Sequence, residues 1–109
     1  METLILKHTV RTGKTIEHGG DIIICGDVNP SATIRASGNI TVMGTAQGIL
    51  QAGQRPDAGD DAIITAVKLM SPQIKIGKYK ADVDVIEPTA QEYAHVVNGK
   101  IIIQKIKSK

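Results

Sequence analysis

An 18-residue internal repeat constrains this chain more than any other feature. Gly20-Asp21-Ile22-Ile23-Ile24-Cys25-Gly26-Asp27-Val28 lies over Gly38-Asn39-Ile40-Thr41-Val42-Met43-Gly44-Thr45-Ala46 at an offset of 18. Thr15-Ile16-Glu17-His18 lies over Thr33-Ile34-Arg35-Ala36 at the same offset. The period is too short for a helical hairpin and too regular for a sandwich. It suits one coil of an all-β solenoid, in which each repeat stacks on the last and shares its core.

At roughly 3.3 Å per strand residue, one period traces about 60 Å, or three sides of about five residues plus corners. That is a triangular prism. Side chains alternate along each side, so Ile22, Ile24, Ile40 and Val42 share the inward face. Ile23, Cys25, Thr41 and Met43 share the outward one. Gly20, Gly26, Gly38 and Gly44 mark corners that need positive φ or close approach between coils. Gln54 to Gly59, with Pro56, reads as a corner insertion. Asp61 to Ala66 then restarts an apolar side with Ala62 and Ile64 inward, and Val67–Met70 and Gln73–Gly77 supply later sides. Beyond Lys80, Val83 and Val85 alternate, and Glu87 to Glu92 reads as a loop or one helical turn. Asn98-Gly99 is a preferred two-residue hairpin turn, which predicts a closing hairpin from His95–Val97 and Lys100–Gln104. The expected organisation is one domain over 1–109, with 80–109 as loop and capping hairpin hiding the last open edge.

The 109 residues include no Phe or Trp and only two Tyr, Tyr79 and Tyr93. A layered core would be poorly filled, whereas a narrow prism packs with Ile, Val, Leu and Ala. The net charge of +2 is too small to indicate nucleic acid, and no aromatics alternate with the basic residues for base stacking. Lys100, Lys105, Lys107 and Lys109 read as a solvated tail. The single Cys25 excludes an internal disulfide and fits a reducing compartment. No signal peptide and no apolar run near ~18 residues is present, so a cytoplasmic protein is expected.

Nothing in the motifs argues for catalysis, a cofactor or a metal. Gly13-Lys14-Thr15 resembles the end of a P-loop, but the glycine required five positions earlier is His8. His8, His18 and His95 lack ligand spacing. Asp57, Asp60 and Asp61 lack calcium-loop spacing and read as a polar turn.

Two surface features remain. Ile23, Cys25 and Met43, joined by Ile63 and Ile102, form an apolar strip outside a prism that has its own core. Either the capping hairpin covers part of it or it serves self-association, and homodimerisation is the expectation. The second feature is a polar band. Arg11-Thr12-Gly13-Lys14 precedes Asn29-Pro30-Ser31-Ala32 by one period, so the two corners should stack, with Asp27 and Gln47 extending the edge. Such a band is a partner-binding rim or simply a solvated corner.

These residues resemble the C-terminal domain of MinC, the bacterial septum-site inhibitor, from about Leu4 to Ile103. Arg11-Thr12-Gly13-Lys14 is similar to the family's Arg-Ser-Gly-Gln. Gly26-Asp27-Val28-Asn29-Pro30, the run Gly38-Asn39-Ile40 to Gly48, and Ala52-Gly53 follow in the family's order. The resemblance implies a right-handed triangular β-helix that dimerises through one apolar face, here Ile23, Cys25, Met43 and Ile63. It implies a non-enzymatic division regulator that binds the ATP-bound MinD ATPase and is recruited to the inner membrane only through it. The tubulin-like FtsZ is a further candidate partner, and copolymers with MinD are known in the family. By match, the MinD-binding set is Arg11, Thr12, Gly13, Lys14 and Asp27, extended along the polar band by Asn29 and Gln47. Thr12 keeps the family's hydroxyl, Lys14 replaces a Gln amide with a cation, and Gln47 stands where many relatives carry Arg.

Two rivals share the prism. A bactofilin-like solenoid would polymerise end to end without a nucleotide-dependent partner, which a terminal hairpin opposes. A hexapeptide-repeat acyltransferase would be left-handed, with a six-residue aliphatic repeat and a catalytic His, and none of the three histidines sits in such a repeat.

Overall fold

The structure is a computed structural model that describes residues 2–57, 59–83 and 88–106. Among the described residues every regular element is a strand. The chain begins β1 (Thr3–Leu6), β2 (Thr15–His18), β3 (Asp21–Ile24), β4 (Thr33–Ala36), β5 (Ile40–Ala46) and β6 (Ile49–Ala52). It continues with β7 (Ile64–Leu69), β8 (Gln73–Ile76), β9 (Tyr79–Asp82), β10 (Glu92–Val97) and β11 (Lys100–Lys105). Two mixed sheets result, ordered β1-β3-β5-β7-β10-β11 and β2-β4-β6-β8-β9.

The repeat becomes parallel pairing in register. In the first sheet Leu4 pairs with Ile22, Ile22 with Ile40, and Ile40 with Ile64. In the second, Ile16 pairs with Ile34, Ile34 with Leu50, and Leu50 with Ile74. A third row consists of single parallel bridges from Val10 to Val28 and from Val28 to Ala46. All three rows send aliphatic side chains into one core. Ile22, Ile24, Ile34, Ile40, Leu50, Ile64, Ile74 and Ile76 are fully buried there. Each such side chain contributes roughly 1.5–3 kcal/mol by leaving water. At the first coil Leu4, Leu6 and Ile16 are only partly covered.

The expected inward set, Ile22, Ile24, Ile40 and Val42, is buried, as are Ala62 and Ile64. The period departs from 18 in two places. Ile40 to Ile64 spans 24 positions, which the Gly/Pro-rich arm around Pro56 absorbs. Thr33 to Ile49 spans only 16, because the corner after Ala46 is two residues shorter. A bulge between Val42 and Thr45 also shifts the register of β5 on β7.

The corner glycines are needed for close approach, and at Gly38 and Gly44 one pairing rule explains them. Asp21 Oδ1 accepts the Asn39 N–H at 2.7 Å, and a Cβ on Gly38 would lie 2.1 Å from that oxygen. Asp27 Oδ1 accepts the Thr45 N–H at 2.8 Å, and a Cβ on Gly44 would lie 2.5 Å from it. The pairs Gly20-Asp21 and Gly26-Asp27 therefore each place an acceptor under the next repeat, where Gly38 and Gly44 leave room for it. The Asx side chain stands in for the main-chain ladder at a corner, where strand pairing is interrupted.

The closing hairpin is present and longer than expected, with β10 antiparallel to both β11 and β7. Its turn has Asn98 at φ 51° and Gly99 at φ 75°, the two left-handed positions of a type I′ turn. Glu92, expected in a loop, opens β10. Val85 and Glu87 lie outside the described residues, while Val83 packs against the core. Strand β9 was not expected. It turns back on β8 through Gly77 and Lys78, pairing Ile76 with Tyr79, and Gly77 takes φ 58°.

Candidate functional site

The polar band is built from two copies of one turn. The Lys14 N–H donates to the Arg11 carbonyl at 3.1 Å, with Gly13 at φ 83° in the third position. One coil later the Ala32 N–H donates to the Asn29 carbonyl at 3.1 Å, with Ser31 at φ 68° in the same position. A third-position residue at positive φ is the signature of a type II turn, and Pro30 fits the second position. Serine at such a φ is uncommon, so the corner holds its shape against local preference.

The two turns stack. The Gly13 N–H donates to the Ser31 carbonyl at 3.3 Å, and the Thr33 N–H donates to the Lys14 carbonyl at 2.9 Å. The Asn29 N–H donates to the Val10 carbonyl at 2.9 Å, fixing the entry to the second turn. Arg11, Thr12, Gly13 and Lys14 are all exposed, and Asn29 is half-buried. Among the described residues neither Arg11 nor Lys14 makes an ion pair or a side-chain hydrogen bond. Two cationic side chains therefore stand on a rigid corner with their donors free, which suits carboxylates or carbonyls of a partner surface.

The structure brings Asp27 and Gln47 to the same edge. The Val28 N–H donates to the Thr45 carbonyl at 3.0 Å, and the Gln47 N–H donates to the Val28 carbonyl at 2.8 Å. Gln47 begins the shortened corner, so the turn is not repeated a third time. The carboxylate of Asp27 is not free like Arg11, because it accepts the Thr45 N–H. The sequence places Asp27 in the expected MinD-binding set but gives no sign of this bond to the next repeat.

The expected apolar strip lies on the outer face of the first sheet. Ile23, Cys25, Met43 and Ile63 all point away from the core, as does Ile102. Met43 is 60% exposed, and the Cys25 Sγ lies 4.0 Å from the Met43 Sδ. Sequence reading missed two members of this face. Ile5, 52% exposed, pairs with Ile23 in register, and Val67 follows the core residue Ala66 on β7. Alternation along β1 and β7 was the available signal. On the hairpin the same face carries Tyr93, His95 and Gln104: the Tyr93 hydroxyl donates to Gln104 Oε1 at 3.2 Å, and His95 also contacts that oxygen.

A groove of about 570 Å³ lies elsewhere, between the inserted arm and the β8–β9 turn, lined by Arg35, Arg55, Lys75, Lys78 and Tyr79. Its guanidinium groups are already matched. Arg35 pairs with Glu17 at 3.1 Å, and Arg55 pairs with Asp57 at 3.3 Å and Asp61 at 2.6 Å. Among the described residues no three His, Cys, Asp or Glu side chains converge as metal ligands. No described helix is long and apolar enough to cross a membrane.

Parallel strands paired about one repeat apart, with a polar corner and an apolar outer face, define a repeat-built all-β protein. The family described as septum formation inhibitor MinC, C-terminal domain, matches residues 4–106, and this chain belongs to it. The probable septum site-determining protein MinC of Persephonella marina is 43% identical over 104 residues, covering 94% of this chain and 51% of that protein. The protein of the same description from a Sulfurihydrogenibium species is 39% identical, covering 94% of this chain and 53% of its own length. The chain thus spans about half the length of these curated relatives. A chain in the solved MinC:MinD cell division protein complex of Aquifex aeolicus is similar at 38% identity with a TM-score of 0.92. That match covers 100% of this chain and 90% of that one.

Proposed function

We propose that this chain is a non-enzymatic regulator of division-septum placement, a dimerising adaptor domain that binds the ATP-bound MinD ATPase. The stacked turns Arg11–Lys14 and Asn29–Ala32 carry this reading. They supply a rim with two cations that are unpaired among the described residues, and Thr12, Gly13, Asp27 and Gln47 complete its edge. Membership of the MinC family and likeness to a chain in a MinC:MinD complex support MinD as the occupant. The outer face of Ile23, Cys25, Met43 and Ile63, enlarged by Ile5 and Val67, is the homodimer surface. A two-fold dimer through that face carries two rims, so attachment to a MinD-coated membrane is bivalent. The domain is cytoplasmic, reaches the inner membrane only through MinD, and acts on FtsZ assembly from there.

The proposed architecture is a single domain, a right-handed triangular β-helix closed by the β10–β11 hairpin. Three rows of parallel pairing support the triangle. The right hand is what the resemblance to the MinC family implies.

The test is sedimentation of the purified chain with the cognate MinD and lipid vesicles, with ATP and with ADP. Co-sedimentation with ATP only is expected, and Arg11→Ala should weaken it ~30-fold, about 2 kcal/mol for a central contact. Equal recovery with both nucleotides, or an unaffected Arg11→Ala variant, would overturn the assignment.

A further inference from the structure

We infer that Asp27 is a positioning residue for the rim: it sets the height of the turn Asn29–Ala32 over Arg11–Lys14 and does not offer its charge to the partner. The inference rests on the rim being the MinD-binding surface, and it changes what Asp27 does there.

Asp27 is held from both sides along the stack. Its N–H donates to the Thr9 Oγ1 of the coil before at 3.2 Å, and its Oδ1 accepts the Thr45 N–H of the coil after at 2.8 Å. Its own carbonyl accepts the Val10 N–H at 2.9 Å. Three coils are therefore tied at one residue. The next position, Val28, is the centre of the third row, bridged to Val10 and Ala46 and fully buried. The turn Asn29–Ala32 starts immediately after it. Any slip of the coils at Asp27 is passed through Val28 into the spacing between the two turns.

The surroundings are shaped for this acceptor. A Cβ on Gly44 would stand 2.5 Å from Asp27 Oδ1 and 2.4 Å from the Gly26 carbonyl oxygen, so only glycine leaves the carboxylate its seat. The same construction recurs at Asp21, Gly38 and Asn39, at another corner away from the rim. An arrangement used twice, once far from the rim, is a device for joining coils. A carboxylate evolved to meet a partner cation has no need of it.

The bond to Thr45 requires an acceptor oxygen and not a charge, which separates positioning from contact. Asp27→Asn keeps an Oδ1 acceptor, whereas Asp27→Ala does not. Affinity for ATP-bound MinD is measured for both variants beside wild type and Arg11→Ala, well below each variant's melting temperature. Asp27→Asn is expected within about 3-fold of wild type and Asp27→Ala at least 10-fold weaker, on the scale of one lost charge-assisted hydrogen bond. Equal loss in Asn and Ala variants would show a direct charge contact and overturn the inference.

Amide exchange on the isolated chain gives a readout that needs no partner. In Asp27→Ala the Thr45 and Gly13 amides should both lose protection, and in Asp27→Asn both should keep it. Unchanged Gly13 protection in Asp27→Ala would sink the inference whatever MinD does. If wild type fails to bind MinD while the exchange pattern is as expected, the rim assignment falls and the coil-spacing role stands.

Discussion

The Cα of Gly44 faces the carboxylate of Asp27 so closely that no side chain fits between them; a Cβ there would come within 2.5 Å of Oδ1. Gly38 stands in the same relation to Asp21, at 2.1 Å. At these two positions the recurrent glycine is thus tied to the aspartate of the preceding repeat.

Gly38→Ala should consequently lower stability by about 1–3 kcal/mol, the usual range for overpacking a close contact. Removing the obstructing carboxylate in the same molecule, Asp21→Ser with Gly38→Ala, should recover part of the loss. Thermal melts of the single and double variants check this. Additive losses would mean the two positions do not share one contact.

Core truncation offers a second test. Ile40 is fully buried and pairs with both Ile22 and Ile64 in one column. Ile40→Val should cost about 0.5–1.5 kcal/mol and Ile40→Ala about 2–5 kcal/mol by denaturant titration. The same changes at the exposed Ile63 should stay within about 0.5 kcal/mol for the monomer.

The outer face predicts a change in association and not in fold. Met43→Glu places a charge in the middle of the apolar strip, next to Cys25. Sedimentation velocity is expected to show a dimer for wild type and a monomer for Met43→Glu, with unchanged circular dichroism. A dimer that survives both Met43→Glu and Ile23→Glu would place the interface on another face.

The hairpin turn gives a fourth. Gly99 takes φ 75°, a region costly for residues with a Cβ. Gly99→Ala should destabilise by about 1–2 kcal/mol, while Asn98→Gly should be nearly neutral, since glycine accepts the φ of 51° found there. Chemical denaturation of both variants distinguishes the turn's backbone requirement from side-chain contacts.

The repeat made the columns legible, because inward positions recur with a fixed period and the core needs only aliphatics. It also located the stacked corners, since Arg11–Lys14 and Asn29–Ala32 are one period apart. Where the period changes, legibility fails. The 24-residue spacing of Ile40 and Ile64, the shortened corner at Gln47 and the register shift after Val42 are decided by packing between coils. Strand β9 escaped notice because Tyr79-Lys80-Ala81-Asp82 has weak apolar alternation; the clue was Gly77-Lys78 as a two-residue turn. The bond from Asp27 to Thr45 lies between residues 18 apart. A conserved period shows that two positions stack, but not that one side chain bonds the other's backbone.

Strands β1 to β8 each find a parallel partner one repeat away, whether 16, 18 or 24 positions along the chain. Growth of such a protein is modular. A unit of one coil can be gained or lost between β3 and β5 while each surviving strand still meets a neighbour of the same kind, and the hairpin closes whatever stack precedes it. The rim does not share that freedom, because it depends on two particular corners meeting. Lengthening the stack would add core without adding a second copy of the proposed rim.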